Sequence, residues 1–180
     1  MNITVFLGSK YGNEEIYKNK VIELGKFIGE NNHTLVYGGS NSGLMGDLAL
    51  STLKYHGKVI GVRPEGFKEG DLLKECNEMI ITDSMSTRKD KLIELADLII
   101  AFPGGTGTLD EISEVMVLRS TNLINKAYVF LNINGFYDTL YKFFLELYEK
   151  EFIDEKQLNQ IIFINDINEL KDYINNFIHF

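Results

Sequence analysis

One cysteine, two prolines and three histidines are little for a chain of 180 residues, and each scarcity excludes something. Cys76 has no second cysteine to meet, so no internal disulfide forms. No histidine stands near it in sequence, which favours a passive thiol over a nucleophile. His33, His56 and His179 show no metal-ligand spacing, so no metal is expected. Positive charge is also short: 18 Lys and Arg face 26 Asp and Glu, for a formal net charge of −8. A nucleic-acid backbone is therefore not the expected partner, although a few clustered cations could still hold a small anion. A run of ~20 apolar residues is missing, which argues against a membrane span. Met1-Asn2-Ile3-Thr4 leads straight into an apolar strand with no basic region before it, so no signal peptide and a cytoplasmic location are expected. The few prolines, with many Asn, Ile and Lys, read as compositional bias that carries no function. What remains is 44% apolar, an ordinary fraction, in a length suited to one domain over 1–180. There is no internal repeat, low-complexity segment or linker.

Short apolar runs alternate with helical patterns along the chain. Strands are expected over 3–7, 34–37, 59–62, 79–82, 98–102, 128–131 and 161–164, with Pro64 stopping the third. Tyr17, Val21, Leu24 and Ile28 mark a helix that Asn31-Asn32 ends. Further helices are expected through about Tyr55, over about 84–96, over about 108–119, through Phe136, Leu140, Phe143, Phe144 and Leu147, and through Ile167, Leu170, Ile174 and Phe177. Residues 65–77 are polar and read as loop or short helix. This alternation predicts an α/β fold: a doubly wound parallel sheet with helices on both faces and right-handed crossovers. Ligands in such sheets bind beyond the strand C-termini, at a switch point.

Three turns fall on that edge. The first is Gly8 to Asn13, which alone could be a cleft wall or a plain turn. The second runs from Gly38 and Gly39 to Gly43-Leu44-Met45-Gly46, where helix packing and ligand approach both apply. Tyr37 before it fits core or cleft. The third, Pro103-Gly104-Gly105-Thr106-Gly107-Thr108-Leu109-Asp110-Glu111, sits between a buried strand and a helix N-terminus. Glycines there admit close backbone approach, and the free N–H groups of a first helical turn attract anions. The stretch is neither a P-loop nor a G-x-G-x-x-G fingerprint.

Asp110, Glu111 and Glu114 then stand beside an expected anion site. A phosphate clamp alone would avoid carboxylates. Cleavage of a ribosyl bond would want both, because its transition state resembles an oxocarbenium ion. Thr108-x-x-Glu111 equally reads as a capping box. On the preceding helix, Met85, Leu92, Leu95 and Ala96 form an inward stripe, and helical spacing puts Arg88 or Lys89 on the same side. A cation there needs an anionic partner unless it overhangs the sheet edge into water.

Together these segments resemble the LOG (Lonely Guy) family of cytokinin riboside 5′-monophosphate phosphoribohydrolases, often labelled lysine decarboxylases. The family signature P-G-G-x-G-T-x-x-E is matched at 103–111, and its Arg-Lys pair at Arg88-Lys89. The Gly38-Gly39 and Gly43-Leu44-Met45-Gly46 segment and Gly8-Ser9 match too, over about 3–153 in all. The resemblance implies a Rossmann-like three-layer α/β/α fold and hydrolysis of a nucleoside 5′-monophosphate, AMP or a cytokinin riboside 5′-monophosphate, to free base and ribose 5-phosphate. It implies catalytic roles for Arg88 and Glu111. The substrate-binding set expected with it is Gly8, Ser9, Gly39, Met85, Lys89, Gly104, Gly105, Thr106, Gly107 and Thr108. It further implies a homodimer and no cofactor or metal. Two places depart from the family: Ser86-Thr87 stand where His-Glu is usual, and 118–127 lacks the usual Trp, Gln and Pro. A nucleotide carrier or sensor on the same scaffold would need no Glu111. Lysine decarboxylation lacks a supporting pyridoxal phosphate site, and a NAD dehydrogenase lacks its fingerprint.

Overall fold

The computed structural model describes residues 1–66 and 73–177. Residues 67–72 of the expected loop at 65–77 and all of His179 lie outside them, as does the side chain of Phe177. The elements run β1 (Asn2–Phe6), α1 (Glu15–Glu30), β2 (Thr34–Tyr37), α2 (Gly43–Lys54), β3 (Lys58–Pro64), β4 (Glu78–Thr82), α3 (Met85–Leu95), β5 (Leu98–Ala101), α4 (Thr106–Ser120), β6 (Ala127–Leu131), α5 (Asp138–Glu149), α6 (Glu155–Gln160), β7 (Ile162–Ile164) and α7 (Ile167–Phe177). Every strand pairing is parallel. The order across the sheet is β4-β3-β2-β1-β5-β6-β7, so the winding reverses between β1 and β5.

The period of two along each strand produces two cores. In β1, Ile3 and Val5 join the core under α1, α2 and α7, while Phe6 joins the core under α3, α4 and α5. In β5, Leu98 and Ile100 go one way, Ile99 and Ala101 the other. A sheet buried on both faces needs apolar residues at consecutive positions, which is why its strands read as unbroken runs. Burying each such side chain stabilises the fold by about 1.5–3 kcal/mol. This is the three-layer α/β/α architecture expected. No helix among the described residues is long and apolar enough to cross a membrane.

Three expectations are corrected. Pro64 does not stop β3 two residues early; it is the strand's last residue, opposite Thr82, where a missing N–H costs no ladder bond further on. α6 was not expected, because its six residues bury nothing and so carry no periodicity; its Asp154–Gln157 capping box holds it. Most important for the site, α4 begins at Thr106 with Gly105 as its N-cap and no capping side chain. Thr108 and Glu111 therefore lie inside the helix, and the capping-box reading of that pair fails. No acidic residue occupies the first turn; Asp110 and Glu111 come a turn later.

Candidate active site

At the reversal between β1 and β5, two turns leave the sheet side by side and a cavity of about 840 Å³ opens along the strand C-termini. The Gly8 N–H donates to the Pro103 carbonyl at 3.2 Å, which ties the turns together. A Cβ on Gly104 would stand 2.1 Å from Thr108 Oγ1 and 2.8 Å from the Gly8 nitrogen, so only glycine allows this three-way approach. Gly105 and Gly107 face open space instead. The first turn of α4 thus presents backbone N–H groups that no side chain caps, beside the cavity. Such a terminus attracts an anion through its N–H groups and the helix dipole.

The second half of the site comes from α3. Ser84 opens this helix with a capping box: its hydroxyl accepts the Thr87 N–H, and the Thr87 hydroxyl accepts the Ser84 N–H, both at 3.2 Å. One position further, Arg88 turns inward. Its Nε donates to the Val62 carbonyl of β3 at 3.1 Å, and its Nη1 donates to Glu111 Oε1 at 2.6 Å. Both side chains are only 8% exposed. Arg88 Nη2 lies 2.5 Å from where a Cβ on Gly38 would be, so the glycine after β2 provides room for the guanidinium. Burial pushes the Glu111 carboxyl above its ordinary value of 4.5; the charge and hydrogen bond of Arg88 pull it part of the way back. A carboxylate held by one fixed guanidinium, at the wall of an anion-attracting cavity, can face a developing cation or take a proton from water.

Of the expected site residues, Gly8, Ser9, Met85, Arg88 and Glu111 line the cavity, as do Gly104, Gly105, Thr106, Gly107 and Thr108. Met85 does so from the rim, 49% exposed, rather than from the inward stripe expected of it. Gly39 and Lys89 are not part of the lining. Gly39 is turned toward Met79, whose sulfur lies 3.1 Å from its would-be Cβ. Lys89 points to α4, pairing with Asp110 at 3.1 Å and Glu114 at 2.7 Å, because one residue's rotation carries it away from Arg88.

Sequence reasoning missed other lining residues. Tyr17 was assigned to a core stripe; it is buried, yet its ring borders the cavity and meets Phe136 edge-on at 5.8 Å. Phe136 precedes α5 rather than starting it. Arg63 lies in β3 beyond the expected strand end, and a cation within a buried strand was the signal available. Tyr37 belongs to the core, and its hydroxyl sits 3.6 Å from the Cys76 sulfur. Burial pushes the Cys76 thiol up, which disfavours the thiolate and suits the passive reading. Among the described residues no group of three or more His, Cys, Asp or Glu is arranged to hold a metal.

A family model described as "Possible lysine decarboxylase" matches residues 45–174. The chain is 34% identical over 177 residues to cytokinin riboside 5′-monophosphate phosphoribohydrolase LOG1 of Arabidopsis thaliana, covering 96% of this chain and 83% of that protein. It is 34% identical over 169 residues to the rice (Oryza sativa subsp. japonica) protein named probable cytokinin riboside 5′-monophosphate phosphoribohydrolase LOGL6, covering 93% of this chain and 68% of that one. Among solved structures, the molybdenum cofactor carrier protein of Chlamydomonas reinhardtii superposes with a TM-score of 0.76 at 21% identity, over 99% of this chain and 98% of that one. The molybdenum cofactor binding protein of Rippkaea orientalis gives 0.73 at 20% identity, over 98% and 96%. These two likenesses are of fold. The sequence relatives and the family match go further, and the chain belongs to the LOG family, the one that carries the lysine decarboxylase description and includes the cytokinin riboside 5′-monophosphate phosphoribohydrolases.

Proposed function

We propose that this protein hydrolyses the N-glycosidic bond of nucleoside 5′-monophosphates, AMP or a cytokinin riboside 5′-monophosphate among them, releasing free base and ribose 5-phosphate. The observation that carries the proposal is the buried Arg88–Glu111 pair in the same cavity as an uncapped helix N-terminus. Phosphate binding by itself needs no buried carboxylate, and a carrier or sensor on this scaffold would do without one.

In this reading the 5′-phosphate sits against the N–H groups of Gly105 to Thr108 and the Thr108 hydroxyl. Lys10, at the mouth of the cavity, adds positive charge. The ribose then lies over Glu111. The bond from C1′ to the base nitrogen breaks and a bond from C1′ to water oxygen forms. Glu111 faces the cationic sugar or accepts the proton of the attacking water, and the departing base takes up a proton. Arg88 fixes the carboxylate in place and keeps it ionised further down the pH scale than burial alone would. The scheme invokes no metal or cofactor.

The test is incubation with a panel of nucleoside monophosphates and chromatography for free base. AMP should be cleaved far faster than adenosine; equal rates would remove the phosphate site from the scheme. A homodimer is part of the same proposal, supported by apolar residues that α4 leaves exposed, Leu109 and Val117. Light scattering that gives the 20.5 kDa monomer at micromolar concentration would reject it.

A further inference from the structure

Next to the Arg88–Glu111 pair the cavity is walled by two methionines that come from opposite layers. Met45, in the first turn of α2, is half-buried against the core under α1, α2 and α7. Met85 opens α3 on the other side of the sheet and stands 49% exposed at the rim. The layers meet at Gly38, the residue after β2. A Cβ there would lie 3.4 Å from both Sδ and Cε of Met45 and 2.5 Å from Arg88 Nη2. The thioether of Met45 and the guanidinium that holds Glu111 thus converge on one point above the end of β2. Met85 lies three residues before Arg88, which puts it on the same side of α3, one turn nearer the rim.

The strand order sets what reaches this place. The turn before α4 leaves β5, and β1 and β2 follow in the sheet. The uncapped helix terminus and Gly38 therefore stand two strand spacings apart, ~10 Å. A nucleoside monophosphate with its phosphate at the first turn of α4 and C1′ at Glu111 carries its base over Gly38, between the two methionines.

We propose that Met45, with Met85 opposite it, forms the slot for the base and selects purines by ring face rather than by hydrogen-bonding edge; this rests on the hydrolase reading above. A thioether is unbranched, polarizable and at most a weak acceptor, and its sulfur packs favourably on aromatic rings. Such contact grows with ring area, so a purine gains more than a pyrimidine. It is indifferent to whether C6 of the purine carries an amino or an oxo group.

The test measures kcat/KM for AMP, IMP and UMP, and inhibition by ribose 5-phosphate, on wild type, Met45→Ala and Met85→Ala. Wild type should use AMP and IMP within ~3-fold of each other and UMP ~10-fold less well. Met45→Ala should lower kcat/KM for AMP by ~10-fold, narrow the gap to UMP and leave ribose 5-phosphate inhibition unchanged, which a general loosening of the fold would not do. Met85→Ala, at the exposed rim, should show the same selective loss at ~3-fold, and it decides the matter should Met45→Ala not fold. Equilibrium dialysis in a Glu111→Gln background repeats the comparison as binding affinities. Absence of any hydrolysis would sink the hydrolase reading, and the dialysis ratios would then judge the slot alone. A preference between AMP and IMP beyond ~10-fold, the mark of a bidentate edge contact, would overturn the slot. So would UMP used as well as AMP, AMP unaffected in the variants, or equal losses of AMP and ribose 5-phosphate.

Discussion

Two cations at neighbouring positions of α3 reach acids of α4, and their ion pairs differ in almost everything else. Arg88–Glu111 is buried, closes at 2.6 Å and faces the cavity. Lys89 reaches Asp110 and Glu114 beside it, with Asp110 61% exposed. Its Asp110 arm is an ordinary bridge between two helices, screened by water and worth about 0–1 kcal/mol. The inner pair has lost its water on both sides, so each charge depends on the other, and removing one partner of such a pair costs about 3–5 kcal/mol. A chain seeking stability alone would fill that space with apolar side chains at no loss. Charge retained in a desolvated position at the cavity wall is what the proposed chemistry draws on, while the same residue types one step along the helix face away from the cavity.

The sharpest way to break this comparison is Glu111→Gln, which keeps shape and removes charge. Turnover should fall by ~10²–10⁴-fold, the weight of a positioned acid or base, while AMP still binds. A folded Gln variant with near-normal turnover would falsify the catalytic role. The variant also tests the ionisation. Because burial raises the Glu111 carboxyl in the folded state, its contribution to stability is fully present below the ordinary 4.5 and is lost as pH rises through the raised value. Melting temperatures measured across that window should therefore move in favour of the Gln variant as pH increases; parallel curves would show that Glu111 titrates as it does in the unfolded chain.

Arg88→Gln removes the group that pulls the Glu111 carboxyl down. The acid limb of kcat/KM should move to higher pH than in wild type, and stability at neutral pH should drop by about 3–5 kcal/mol. An acid limb that stays in place would separate the two residues. Gly38→Ala tests the same geometry from outside the pair: its methyl group would meet Arg88 Nη2 at 2.5 Å. Displacing the guanidinium by about 1 Å should lower turnover up to ~10²-fold with little change in nucleotide affinity. The outer group gives the smallest effect. Asp110→Ala should change stability by less than ~1 kcal/mol, less still at high salt, and leave turnover near wild type. A large loss of activity there would erase the distinction between the two pairs.

Much of the fold was legible because it rests on local pattern. Unbroken apolar runs such as 98–102 occur only where both sheet faces are covered, and the stripe of Tyr17, Val21, Leu24 and Ile28 fits one helical face. The glycine turn at 103–108 was legible for the same reason, since its glycines fall between a buried apolar run and a helical pattern. The start of α4 was not legible to within two residues, and that small displacement decided whether Glu111 capped a helix or met Arg88. α6 escaped notice because a short polar helix has no buried face to betray it.

By itself, then, the sequence determined the alternation of elements, the two-sided sheet and the glycine turns at its edge, because each follows from spacing within a few residues. It narrowed the inward cation to Arg88 or Lys89 and went no further. Consecutive helical residues point ~100° apart, so which of them faces the cavity depends on how α3 is rotated against the sheet. That rotation is set by Leu92 and Ile93 packing on β-strand residues, and by Arg88 finding the Val62 carbonyl on a strand 26 positions earlier. Only tertiary packing brought Arg88, Glu111, Gly38 and Arg63 along one edge, since three elements and the turn after β2 contribute them and no local spacing links those segments.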